Sequence, residues 1–338
     1  MLPSTSLGQG AARAAGLALA AALTTVLAAC AERASAGEAD SHRAAAVADG
    51  VGVGISSSES RFVANITGGL EDPESVRYDP EQDVFFISNM AGYGSAKDDN
   101  GFIVRVPADG PFTPVPFVSG GGGVTLNAPK GMAIHGDTLW VTDIDALRGF
   151  DRHTGAPLAT IDFAPLGAVQ LNDVAVGPDG TLRVTDTGIL MNAAGSVHVG
   201  PDRIFAVGPG GAVTVVAEGA QLRQPNGITW DSTAKRWVVV SFDPFVGEVA
   251  MLPASGGARQ VVRNGKGRLD GVEALPGGAL IFSSWADSSI HLLAGEHERQ
   301  IIRQLPVPAD IGVDTRRNRV AVPLSMLGRV ELWTLGKE

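Results

Sequence analysis

Residues 129–143 read PKGMAIHGDTLWVTD, residues 171–186 read LNDVAVGPDGTLRVTD, and residues 225–241 read PNGITWDSTAKRWVVVS. Each begins with Pro or Leu, continues through a small or polar step into alternating apolar positions, turns, and ends in a second β-rich run. Three further copies complete the set: PESVRYDPEQDVFFIS from Pro73, LDGVEALPGGALIFSS from Leu269 and PADIGVDTRRNRVAVP from Pro308. Their starts lie 56, 42, 54, 44 and 39 residues apart. Six units of about forty to fifty residues suit a propeller of four-stranded blades. Pro178-Asp179-Gly180 and Pro276-Gly277-Gly278 are hairpin chemistry between the first and second strands.

The expected fold is therefore all-β, a six-bladed β-propeller over residues 61–338. After Pro308 there is room for only three strands, so the run Arg61 to Ile66 is expected to supply the fourth and close the ring, removing an exposed edge. A β-sandwich or two smaller β domains is the competing arrangement.

Composition agrees. Gly 44 and Pro 20 in 338 residues mean many turns, and 44 % hydrophobic residues leave enough apolar material for a core. A net charge of -10 argues against binding nucleic acid, which needs a basic stripe. One cysteine excludes a disulfide framework or a multi-cysteine metal site.

The N-terminal region reads as an address. Ala14 to Ala29 is an uncharged run of sixteen residues, about 24 Å as a helix and short of a bilayer core of about 30 Å. Residues 1–29 read as a secretory signal peptide. Leu27-Ala28-Ala29-Cys30 resembles the bacterial lipobox, which implies lipidation at Cys30, export, and anchoring to a bacterial membrane on its periplasmic or extracellular face. Cleavage after Ala34-Ser35-Ala36 is the alternative. Residues 30–60, rich in Ala, Gly and Ser, read as a flexible tether.

The second residue of each unit carries the chemistry: Glu74, Lys130, Asn172, Asn226, Asp270 and Ala309. Sixfold arrangement puts these side chains at one level around the channel mouth. Four are oxygen donors. Bunched carboxylates raise each other's pKa unless a cation sits between them. An oxygen-only donor set suits a hard divalent cation, Ca²⁺ first, with Mg²⁺, Mn²⁺ or Zn²⁺ as alternatives. Taken singly, each residue is also an ordinary turn former. The adjacent Gly131, Gly227 and Gly271 are read as giving the backbone room to turn.

On these motifs, residues 61–338 resemble the regucalcin (senescence marker protein)/gluconolactonase family of six-bladed propellers. The resemblance implies that Glu74, Asn226 and Asp270 ligate a divalent cation and that Asn172 contacts the substrate. Family lactonases often carry an Arg near the substrate; Lys130 stands in its place or balances Glu74. The implied activity is metal-dependent hydrolysis of a lactone or related ester, with a small-molecule substrate such as a sugar lactone and Asp270 as the group that activates water. The rival is a non-catalytic, membrane-tethered ligand- or protein-binding propeller with a structural cation. A strictosidine-synthase-like propeller ranks last, because its chemistry does not require four such donors.

Two long segments, Asn89 to Asn100 and Thr187 to Pro201, follow second strands and are expected to border the mouth as loops. Asp143, Asp186, Asp243 and Trp285 end other second strands; turn capping is the expectation for the three Asp residues. Of the His residues, only His198, in the second long segment, is placed to reach a substrate, and a surface position is the expectation for it. Gly265-Lys266-Gly267 lacks the spacing of a P-loop, and His297-Glu298 lacks the second His of a zincin.

Overall fold

The computed structural model describes residues 60–254 and 259–336. The signal peptide, Cys30 and the tether up to residue 59 lie outside the described residues.

The described chain forms six four-stranded antiparallel sheets and one two-stranded sheet. β1 (Arg61–Ile66) comes first. Blade 1 is β2 (Pro73–Asp79), β3 (Val84–Asn89), β4 (Phe102–Pro107) and β5 (Val115–Ser119); blade 2 is β6 (Pro129–His135), β7 (Thr138–Asp143), β8 (Ala146–Asp151) and β9 (Pro157–Asp162). β10 (Leu171–Val176) and β11 (Leu182–Asp186) open blade 3. A hairpin of β12 (Ile189–Asn192) and β13 (Gly195–His198) interrupts it before β14 (Arg203–Val207) and β15 (Val213–Glu218). Blade 4 is β16 (Pro225–Asp231), β17 (Arg236–Ser241), β18 (Gly247–Pro253) and β19 (Gln260–Gly265). Blade 5 is β20 (Leu269–Ala274), β21 (Leu280–Ser284), β22 (Ser289–Ala294) and β23 (His297–Arg303). Blade 6 takes β24 (Gly312–Asp314), β25 (Arg319–Leu324) and β26 (Arg329–Thr334), and β1 pairs with β26 to complete it. The sixfold propeller and its closure by the first strand stand as expected.

The core lies between blades. Ile87 and Val104 of blade 1 pack with Ala321, Val330 and Leu332 of blade 6, all at most 2 % exposed. Leu147 of blade 2 packs with Val184 and Phe205 of blade 3 in the same way. Each sheet thus buries both faces, and second strands carry continuous apolar runs such as Val84 to Ile87 and Trp237 to Val240 in place of strict alternation.

The inner strands begin at Pro73, Pro129, Leu171, Pro225 and Leu269, as the repeat predicts. The sixth does not: β24 starts at Gly312, four residues late. Asp310 there bridges in parallel to Ser75 of blade 1, leaving only Pro308 to bridge Leu324 within its own blade.

Candidate functional site

Every full-length inner strand slips register at its second residue. Pro129 pairs with Asp143 and Met132 with Val141, so Lys130 and Gly131 together oppose Thr142. The same irregularity falls between Pro73 and Ser75, Leu171 and Val174, Pro225 and Ile228, and Leu269 and Val272. A bulge bends the strand and re-aims the side chain it carries. Here it gives Glu74, Lys130, Asn172, Asn226 and Asp270 a common setting. All five side chains, with Ala309, line one cavity of about 220 Å³ at the channel mouth.

A bulge frees backbone groups, and a column of hydroxyls on the second strands takes them up. Ser75, Asp173 and Gly271 donate their N–H to Ser88 Oγ (3.0 Å), Thr185 Oγ1 (3.0 Å) and Ser283 Oγ (2.8 Å). The same hydroxyl column reaches across to the next blade. Thr142 Oγ1 donates to the Asn172 carbonyl (2.6 Å), Thr185 Oγ1 to that of Asn226 (2.6 Å), and Ser283 Oγ to that of Ala309 (2.9 Å). Blades 2, 3 and 5 therefore each fix the backbone of the next blade at its second repeat position.

The glycines beside these residues do something other than turn the chain. Gly131, Gly227 and Gly271 have ordinary negative-φ backbones. A Cβ at Gly131 would lie 2.5 Å from Asp173 Cα, and one at Gly227 would lie 2.5 Å from the Asp270 carbonyl oxygen. Their missing side chains let adjacent inner strands close on the axis.

The five polar residues are buried, from Lys130 at 1 % exposure to Asn172 at 7 %. Glu74 Oε2, Asn172 Oδ1, Asn226 Oδ1 and Asp270 Oδ1 are buried without a hydrogen-bond partner. Buried polar atoms are nearly always paired, so four orphans facing one cavity require an explanation. Burial pushes the Glu74 carboxyl well above the usual range, with Asp270 and Asp310 adding repulsion that Lys130 partly offsets. Burial and then Asp310 raise Asp270 likewise. Burial lowers Lys130, against the pull of Glu74 and Asp143. Its ammonium donates to the carbonyls of Gly94 (2.8 Å) and Ala128 (3.1 Å), which leaves one of three N–H donors over.

Among the described residues no three His, Cys, Asp or Glu side chains form a metal-ligating group. Two carboxylates and two amides form a different set, of the oxygen-only kind that hard cations take. The orphaned oxygens fit such an ion: held by Glu74, Asn226 and Asp270, it would pair three of them, leave Asn172 for a substrate, and reverse the repulsion between Glu74 and Asp270.

Asp173 and Asp310, one position further along their units, complete the acidic hub and were not singled out from the sequence. Burial raises both, Asp310 to about 7. Asp173 accepts from the Ile228 N–H (2.7 Å), and Asp310 from Ser75 Oγ (2.6 Å). Beyond them Arg77 pairs with Glu273 at 2.5 Å.

Above the hub, the segment after β3 and the β12–β13 hairpin close over the cavity. The second of these folds as strands where a loop was expected. Ser95 N–H donates to the Met191 carbonyl (3.1 Å), and Met191 N–H to Ser95 Oγ (2.9 Å). Asp143 caps Asn127 and Ala128, Asp186 caps Gln170 and Gly188, and Asp243 caps Phe245 and Val246. The three Asp residues are thus turn caps, whereas Trp285 lines the cavity. His198 bonds to Asp202 at 2.7 Å and borders an adjoining cavity instead.

No family model and no curated protein matches the sequence. Solved structures do resemble the fold. A gluconolactonase from Xanthomonas campestris aligns with a TM-score of 0.63 at 15 % identity, over 82 % of this chain and 95 % of that one. A luciferin-regenerating enzyme aligns at 0.61 and 13 %, over 81 % and 94 %. Virginiamycin B lyase from Staphylococcus aureus aligns at 0.57 and 14 %, over 82 % and 100 %. At these identities the likeness establishes the six-bladed propeller and leaves the chemistry to the site.

Proposed function

We propose that the protein is a divalent-cation-dependent hydrolase of a lactone or related ester, acting at the channel mouth. The observation that carries this reading is the set of four buried, unpartnered oxygens on four blades, all facing one cavity. The gluconolactonase among the structural neighbours supports the choice of reaction.

Glu74, Asn226 and Asp270 would hold the cation, with Ca²⁺ the best match to an oxygen-only set. When bound, it supplies Lewis-acid polarisation of the ester carbonyl and stabilises the charge that develops there. Asn172 orients the substrate through its side-chain amide. Lys130 directs its remaining N–H at a negative group. Asp270 takes a proton from water as the water oxygen bonds to the carbonyl carbon. The ring C–O bond then breaks, the proton passes to the leaving alkoxide, and a hydroxy acid results. The segments joined through Ser95 and Met191 limit the access of bulk water.

A panel of lactones and esters, assayed with and without chelator, tests the reading. Turnover that chelator abolishes and Ca²⁺ restores is the expected result. Asp270→Asn should lower kcat by roughly 10²- to 10⁴-fold with the fold intact by circular dichroism. Full activity in that variant removes Asp270 as the base. Cation binding without turnover anywhere on the panel favours the alternative, a non-catalytic ligand-binding propeller. Export and lipid anchoring through Cys30 belong to the same proposal; radiolabelled palmitate incorporated in a bacterial host, and lost in Cys30→Ser, tests them.

A further inference from the structure

The floor and the walls of the cavity differ in chemistry. The floor carries the orphaned oxygens. The walls above it are built from Met90, Ile189, Met191, Phe242, Trp285 and Met326. Polar groups in the walls are mostly engaged already. Thr187 Oγ1 donates to the Gln170 carbonyl (3.3 Å), Ser325 Oγ donates to the Pro73 carbonyl (2.7 Å), and Gln170 Oε1 accepts from Ser95 Oγ (3.3 Å). Asp72, half-buried at the blade 1 rim, and the Trp285 Nε1–H, buried without a hydrogen-bond partner, are the wall's exceptions.

The apolar lining continues past the cavity. Ile189, Met191, Phe242 and Trp285 form the shared wall of a second cavity of about 200 Å³ beneath the β12–β13 hairpin, whose other sides carry the polar Ser196, His198, Gln224 and Arg268. Phe242 and Trp285 stand edge to face between the two, ring centres 4.8 Å apart. Outward, Met326 is 74 % exposed, and Phe245, in the blade 4 turn on the same face, is 84 % exposed.

A polyhydroxylated ring fits this lining poorly. Each hydroxyl buried without a partner costs on the order of tenfold in affinity, and the walls offer few free partners. An alkyl chain finds methionine and aromatic surface from the floor to the rim, and Met side chains adapt to irregular chains. We infer that the substrate is amphiphilic: a lactone or ester carbonyl at the polar floor, and an alkyl or acyl substituent along the wall toward the hairpin cavity. The head group rests on the hydrolase reading above; the tail rests on the walls alone.

Unhydrolysable γ-lactams bearing alkyl chains from methyl to nonyl, titrated calorimetrically in the presence of Ca²⁺, separate the two. Affinity should rise roughly three- to fourfold per methylene until the cavities fill. A polyhydroxylated lactam should bind far more weakly than the nonyl compound. Met191→Asn, at the wall shared by both cavities, and Met326→Ser, at the exposed rim, should each flatten the chain-length slope. Affinity independent of chain length, or a polyhydroxylated lactam binding as tightly as the longest alkyl one, overturns the inference. A steep slope with no turnover of the matching lactones overturns the hydrolase reading and leaves this one standing.

Discussion

Two clusters of charge lie at opposite ends of the blades and obey opposite rules. At the mouth, Glu74, Asp270 and the nearby Asp310 are buried together with carboxyls pushed upward. At the other end, the turns of blades 1 and 6 clasp each other. Arg317 reaches Asp83 at 2.5 Å and Asp314 at 2.9 Å. The hydrogen bond from Arg317 holds Asp83 far below the usual carboxylate range. Acids on one chain therefore serve as fasteners where a guanidinium pairs with them directly, and as an unbalanced receptor at the mouth, where Lys130 and Arg77 offset only part of the repulsion. Stability has been given up at the mouth, as expected where a site rather than the core dictates residue choice.

The sharpest way to break this contrast is to supply the missing cation. At a hundred times its Kd, a bound ion should stabilise the native protein by about 2.7 kcal/mol, read as a rise in melting temperature. Glu74→Gln should raise the melting temperature of chelated protein by removing one repelling charge, yet abolish most of the response to Ca²⁺. A variant that responds like the wild type would show that Glu74 is no ligand.

Acidity separates the clusters next. A carboxyl raised in the folded state is favoured there while protonated. Chelated protein should lose stability as the pH climbs from the ordinary carboxylate value near 4, continuing through about 7 as Asp310 titrates. Saturating Ca²⁺ should remove most of that slope. The clasp has the opposite sign: Asp83 contributes above pH 4 and its contribution fades as the pH falls below.

The smallest expected effect is at the clasp. Asp83 is partly exposed, so solvent screens its pair. Arg317→Ala should cost about 1 kcal/mol in chemical denaturation at pH 7 and leave Ca²⁺ affinity unaltered. A change in that affinity would couple the two ends, which the contrast denies.

How much of this could be read from the chain follows the physics. The repeat was legible because every blade needs the same pattern of apolar positions, and the column Glu74, Lys130, Asn172, Asn226, Asp270 followed from aligning it. The hydroxyl column Ser88, Thr142, Thr185 and Ser283 lay in the same alignment, next to or at the end of each quoted unit. Its meaning depends on the bulge, and a bulge is a property of pairing that no single strand reveals. Gly131 and Gly227 suggest turns in the sequence for a related reason: their actual constraint comes from the next blade. Asp173 and Asp310 have roles set by residues on other blades, and the β12–β13 hairpin was hidden because four-residue strands leave little periodicity.

The sixth blade draws on both ends of the described chain, Arg61 pairing with Thr334. During synthesis the earliest strand must wait without a partner until the latest has emerged. At the axis, the blade 6 segment meets blade 1 at the hub, where the Asp310 N–H donates to the Glu74 carbonyl at 2.9 Å. The receptor thus cannot exist on a nascent fragment: its acidic centre is assembled in the same event that turns an open arc into a ring.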